Sequence, residues 1–210
     1  MPQPFEPSVT DLVRNIGGQC FIDVGANVGI YAIRYRKNFR QVFAVEPHPK
    51  TRQTLRMKIL LRHARNVRVL EFAASDKEGW ADMVLHGTIG RSSGSEGMIE
   101  PDFTYRPSSS PDIIGDVKQQ NSTLRKIRVR TSPLDSYPFP NDIELVKIDV
   151  EGAEFRVLDG AVKTLAKTRR VIVELHDRDR RTELQNVLHY RWGFKTRWLD
   201  ADHILGARVA

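Results

Sequence analysis

Asp23-Val24-Gly25-Ala26-Asn27-Val28-Gly29 closes the apolar run 19–24, and its reading decides the fold. An apolar run that ends in an acid and a glycine turn, then resumes as an amphipathic stretch over 28–37, is a strand feeding a helix. Open α/β sheets bind ligands beyond the carboxyl ends of their strands, which puts Asp23 at a cleft. Gly25 and Gly29 are expected to let the backbone approach a ligand closely. The spacing is G-x-x-x-G, whereas a dinucleotide pyrophosphate is wrapped by G-x-G-x-x-G. A structural corner that binds nothing is also compatible with this turn.

Working outward, a second strand over 41–45 ends in Glu46, about 20 residues after the turn, where nucleoside sites place an acid. A carboxylate there accepts both hydroxyls of a ribose lying across the sheet's switch point. Pro47 and Pro49 break the strand, and a helix carrying Leu55, Ile59 and Leu60 follows. A third strand, 67–72, runs into Ala73-Ala74-Ser75-Asp76, where Asp76 either reaches an adenine edge or simply forms a turn before Gly79. S-adenosylmethionine suits this set. It has no pyrophosphate, and its zwitterionic methionine end matches Asp23 beside the turn amides Gly25, Ala26 and Asn27.

Further strands are expected over 80–85, 126–131, 143–150 and 170–175, with two closing strands within 194–207. A helix is expected to open at Glu151-Gly152-Ala153-Glu154, with Phe155, Leu158, Val162 and Leu165 on one face, and another over 180–189. Between 86 and 121 the composition turns to Ser, Gly, Pro and Asp without period, which reads as an inserted loop or lid. Residues 1–18 read as an N-terminal extension and 19–210 as one domain.

The 210 residues suffice for one core, and 33 Lys and Arg against 26 Asp and Glu give a formal net charge of +7. The charges are scattered, so a basic solvated surface is favoured over a nucleic-acid face, though RNA stays open as a partner. Cys20 is a lone cysteine inside an apolar run, which makes it a buried small hydrophobe and fits a reducing, cytoplasmic compartment. Residues 1–10 lack the pattern of a signal peptide, and no apolar run is long enough to cross a bilayer.

Asp23 to Gly29, Glu46-Pro47-His48-Pro49, Ala73-Ala74-Ser75-Asp76, Leu134-Asp135-Ser136 and Val146-Lys147-Ile148-Asp149-Val150-Glu151-Gly152-Ala153-Glu154 together resemble the FkbM family of methyltransferases. The resemblance runs from about Cys20 to Asp177. It implies a Rossmann-like class I methyltransferase fold, α/β with a mostly parallel seven-stranded sheet and helices on both faces. It also implies S-adenosylmethionine as cofactor, held by the first two motifs, and O-methylation of small molecules and sugars. Two segments depart from the family pattern. Leu61-Arg62-His63-Ala64-Arg65-Asn66 stands where an asparagine-rich segment is usual, and Arg91-Ser92-Ser93-Gly94-Ser95 precedes an insertion without counterpart.

An alcohol acceptor must lose its proton, and Asp149, Glu151, Glu174, His176 and Asp177 converge at two strand ends. His176 is the preferred base by its ordinary pKa near neutrality, with Asp149 and Glu151 as fallbacks. Asp149 also belongs to the expected cofactor set with Asp23, Gly25, Ala26, Asn27, Gly29, Glu46, Pro47, Ala74, Ser75 and Asp76. Acid and imidazole ligands would also suit a divalent cation, which is not the favoured reading. Ribose 2′-O-methylation of RNA is a rival, with half of a lysine-acid tetrad visible in Lys147 and Asp149. A nucleoside-binding module without catalysis, or a dehydrogenase on the same scaffold, are readings from other classes. Oligomeric state stays open.

Overall fold

The computed structural model describes residues 5–86, 102–106 and 125–208. In chain order the elements are α1 (Pro7–Arg14), β1 (Gly18–Val24), α2 (Ile30–Arg34), β2 (Phe39–Val45), α3 (Pro49–Leu61), β3 (Val67–Leu70), β4 (Ala73–Ala74) and β5 (Gly79–His86). There follow β6 (Asp102–Arg106), β7 (Arg125–Ser132), β8 (Ile143–Ile148), α4 (Glu154–Asp159), α5 (Val162–Ala166) and β9 (Thr168–Glu174). The described chain closes with α6 (Arg181–Asn186), β10 (Lys195–Trp198) and β11 (His203–Ala207).

Seven strands form one sheet in the order β10-β11-β9-β8-β1-β2-β3. β3, β2, β1, β8 and β9 run parallel, while β11 and β10 add antiparallel at one edge. The switch point lies between β1 and β8, where chain order reverses, so a ligand is expected beyond Val24 and Ile148. β1 is buried from Cys20 to Val24, as a central parallel strand covered on both faces must be.

Period-two alternation divides the core between those faces. Cys20, Ile22 and Val24 pack with Val146, Ile148 and Val171 under α4, α5 and α6, through Val157, Leu158, Leu165 and Leu184. Phe21, Val42, Leu145 and Ile172 pack on the opposite face with Val9, Val13, Tyr31, Ala32 and Leu55 of α1, α2 and α3. The segment read as an extension therefore supplies a core helix, because Val9 and Val13 are fully buried and Ile16 nearly so. Burial pushes the Cys20 thiol up to about 12, as an inert core residue requires.

A second sheet, β4-β7-β5-β6, was not anticipated. β5 pairs antiparallel with both β7 and β6, and β4 joins β7 in parallel. The strands expected over 80–85 and 126–131 are therefore present but belong here. Of the expected lid at 86–121, β6 is a strand rather than loop, and most of the remainder lies outside the described residues.

The helix expected from Glu151 starts only at Glu154, because Glu151 and Gly152 take left-handed backbone angles, φ 52° and 97°. It also breaks at Gly160-Ala161 into α4 and α5. Leu158 and Leu165 are buried, whereas Val162 sits exposed at the start of α5. Asp135 caps α5, its carboxylate accepting from the Lys163 and Thr164 amides at 2.7 and 2.8 Å. The Leu134-Asp135-Ser136 motif thus fixes a helix rather than facing the cleft.

Candidate active site

A cleft of about 670 Å³ opens at the switch point. Val24, Gly25, Asn27, Val45, Glu46 and Pro47 line one side. Phe72 closes it from the link between β3 and β4, Ala73 and Ala74 from β4, Met83 from β5, and Asp149, Val150, Glu151 and Ala153 from the turn after β8.

The glycine turn does a different job from the one its spacing suggests. The Gly25 and Ala26 amides both donate to the Val45 carbonyl at 3.0 Å, and the Gly29 amide donates to Ala26 at 2.8 Å. These amides are committed within the protein rather than bare. A Cβ on Gly25 would lie 1.7 Å from the Asp149 carbonyl oxygen, and one on Gly29 would lie 2.5 Å from Leu55, both at positive φ. The glycines thus let β1, β8 and α3 approach each other. Asp23 is buried beneath the turn and accepts from the Ala32 amide at 2.9 Å, capping α2 from the neighbouring strand. Burial raises its carboxyl to about 6, against the pull of Lys147. It supports the cleft without lining it, contrary to the expectation that it faces the methionine end.

Glu46 does line the cleft, with only 4% of its surface exposed. One carboxylate oxygen accepts from the Asn27 amide at 3.0 Å and the other from the His48 amide at 2.7 Å. Each oxygen retains acceptor capacity. Burial raises the carboxyl to about 7, outweighing both amides and Arg52. Asn27 holds a left-handed φ of 48°, a conformation asparagine tolerates, and this aims its amide at Glu46.

Of the third predicted group, Ala74 lines the cleft, while Ser75 and Asp76 fall outside the lining. Asp76 accepts from the Ser75 hydroxyl at 2.9 Å and pairs with Arg156 at 3.2 Å, so the turn reading describes it better.

The acid and imidazole groups form one cluster at the ends of β8 and β9. His176 Nδ1 lies 2.7 Å from Glu154 and Nε2 2.9 Å from Glu151. Burial opposes its charge, but these two carboxylates raise it to about 11. An imidazolium with both nitrogens engaged has no lone pair for a substrate proton, which corrects the preference for His176 as base. Glu154, 2% exposed, also accepts from the Gly152 amide at 2.8 Å and so ties the turn to His176. Lys147 is equally buried and pairs with Asp149 at 2.8 Å. Despite burial, Lys147 holds the Asp149 carboxyl below its ordinary range.

Asp149, Glu151 and His176 are close enough to hold a cation, as are Glu6, Glu174 and His203. Sequence reading named the first three and Glu174 but missed Glu6, Glu154 and His203. Among the apolar lining residues, Val45 and Phe72 flank predicted strand ends and could have been inferred. Met83 arrives from the second sheet and could not.

This geometry defines a class I methyltransferase-type fold. Three solved structures share it: a methyltransferase FkbM from Methylobacillus flagellatus KT (TM-score 0.58, 16% identity, 91% of this chain and 44% of that one), an rRNA methylase from Streptococcus thermophilus (0.54, 10%, 100% and 99%), and a Streptococcus mutans protein in complex with SAH (0.53, 10%, 98% and 97%). The chain belongs to the FkbM methyltransferase family, whose domain matches residues 23–197. That family implies methyltransferase activity with S-adenosylmethionine as donor, and this chain spans less than two thirds of the length of the first relatives it matches. It is 28% identical over 172 residues to the 2-O-methyltransferase NoeI of Sinorhizobium fredii, covering 75% of this chain and 63% of that protein. No helix among the described residues is long and apolar enough to cross a membrane.

Proposed function

We propose that the protein transfers the methyl group of S-adenosylmethionine to a hydroxyl of a sugar or another small hydroxylated molecule. The observation carrying this reading is that a buried carboxylate with spare acceptor capacity, Glu46, shares one cleft with the acidic pair Asp149 and Glu151. The residues fit the cofactor: Glu46 would accept its ribose hydroxyls, Phe72, Ala74 and Met83 would supply an apolar wall for adenine, and Gly25, Asn27 and Pro47 would line the approach. When bound, it supplies an electrophilic methyl on a sulfonium. Asp149 would hold the charged methionine end. The name of the Sinorhizobium relative supports a hydroxyl acceptor.

The chain's own contribution is chiefly positioning, with one proton to remove. His176 stays protonated between Glu151 and Glu154 and fixes the turn that carries Glu151. The acceptor's proton then goes to a carboxylate. Glu151 is the more open, 38% exposed against 23% for Asp149, which Lys147 also pins. Glu151→Gln should therefore lower kcat on the order of 100-fold while leaving S-adenosylhomocysteine affinity within a few-fold. Initial-rate kinetics and calorimetry check this. A loss below tenfold, with a larger one in His176→Gln, would return the base role to the imidazole.

Net charge of +7 keeps RNA as the comparison acceptor. A lysine-acid tetrad needs its lysine at the substrate, yet Lys147 is 2% exposed and held by Asp149. Transfer of labelled methyl to a pooled sugar panel and to bulk RNA, at low and moderate ionic strength, tests the acceptor class. Transfer to the sugar pool should change little with salt. Transfer confined to RNA and falling steeply with salt would sink the proposal.

A further inference from the structure

We propose that Glu6, Glu174 and His203 form a binding site for a divalent cation of the zinc class, separate from the groups that face the cofactor cleft. The residues come from three places: the position before α1, the last residue of β9 and the first of β11. One oxygen of each glutamate and a ring nitrogen of His203 lie within 4.8 Å of one another. His203 is 6% exposed, and its Nε2 has no hydrogen-bond partner. That nitrogen stands 3.4 Å from Glu6 Oε2 and 3.3 Å from Glu174 Oε2. Charge-assisted N–H···O bonds close to about 2.7–2.9 Å. Two ligands of a tetrahedral ion with bonds of about 2.1 Å instead stand about 3.4 Å apart. The spacing matches a shared ion better than a shared proton.

The surroundings match the outer shell of a metal site. His203 Nδ1 lies 2.8 Å from Asp200, the carboxylate–imidazole pairing that stands behind metal-bound histidines. The Tyr31 hydroxyl donates to Glu6 Oε2 at 2.8 Å and leaves that oxygen a second acceptor direction. Lys147 lies 4.0 Å from the same oxygen but pairs with Asp149 at 2.8 Å. One buried ammonium thus serves Glu6, Asp23 and Asp149, with Glu174 close by. His176 provides the contrast, because both its nitrogens already meet carboxylates at hydrogen-bond distance. Imidazole and carboxylate donors suit zinc and its first-row neighbours better than calcium or magnesium. The ion would staple the segment ahead of α1 to β9 and β11, beside the Lys147–Asp149 pair.

Zinc chloride titrated calorimetrically into tag-free, chelator-dialysed full-length protein tests the site without recourse to activity. The expected result is one zinc per chain. Binding should be lost in His203→Ala, weakened in Glu6→Gln, about 10- to 100-fold weaker in Asp200→Asn, and retained in Glu151→Gln and His176→Gln. Circular dichroism establishes that each variant is folded. Should His203→Ala fail that check, Glu6→Gln carries the test, being near the chain start and partly exposed. Absence of zinc binding by the unmodified protein would overturn the site and leave an imidazolium among carboxylates. Binding that survives Glu6→Gln and His203→Ala but vanishes in Glu151→Gln or His176→Gln would overturn it equally.

Discussion

Glu46→Gln should weaken S-adenosylhomocysteine binding on the order of 100- to 1,000-fold in calorimetric titration, with the fold intact by circular dichroism. Two hydrogen bonds from ligand hydroxyls to a buried carboxylate contribute about 1.5–3 kcal/mol each, and the amide replacement keeps the shape while losing the charge. Asn27 and His48 amides still need an acceptor, which Gln supplies for one of them. The same residue sets a pH dependence. Burial holds its carboxyl at about 7 in the free protein, so below that pH it is protonated, and a ligand that donates hydroxyls favours the ionised form. Affinity should therefore rise as pH increases through about 7 in the unmodified protein and stay flat in Glu46→Gln. A flat profile in both, or an unchanged affinity, would remove Glu46 from the cofactor site.

Gly25→Ala carries the largest expected effect on stability. The new methyl would sit 1.7 Å from the Asp149 carbonyl oxygen at a φ of +79°. Asp149 cannot withdraw easily, because its amide is bonded to Val24 at 3.0 Å. Left-handed strain costs about 1–2 kcal/mol, and forced displacement of packed backbone adds about 1–3 more. A loss of about 3 kcal/mol or more is expected from denaturant midpoints. Gly152→Ala is the control. It shares a left-handed φ, +97°, but its methyl would meet nothing within 4 Å, so about 1–2 kcal/mol is expected. Equal losses in the two variants would show that the close approach of β1 and β8 costs nothing to open.

The central parallel strands were legible because each carries a mostly apolar stretch with an acid at or just beyond its carboxyl end, Asp23, Glu46 and Asp149. Glu46, Asp149 and Glu151 could be named for that reason, since strand ends converge at a switch point wherever the sheet is parallel. What spacing could not reveal was which carboxylates face outward. Asp23 and Glu46 both end apolar strands, yet Asp23 turns under the sheet to cap α2 while Glu46 opens on the cleft. His176 looked like a base because its neighbours Glu151 and Glu154 lie more than twenty positions earlier in the chain, and only folding closes them on the ring. The second sheet was hidden in strands whose partners lie far apart in sequence, and with it Met83 in the cleft wall. Glu6 and His203 carried no local signal, because one precedes the first helix and the other begins the last strand.

The most direct measurement follows isotope-labelled methyl from S-adenosylmethionine into product and locates it by mass spectrometry and NMR. The expected result is methyl on a hydroxyl oxygen of a sugar or comparable small acceptor, formed by the unmodified protein and not by Glu46→Gln. Methyl found on nitrogen or carbon, or on RNA alone, would contradict it.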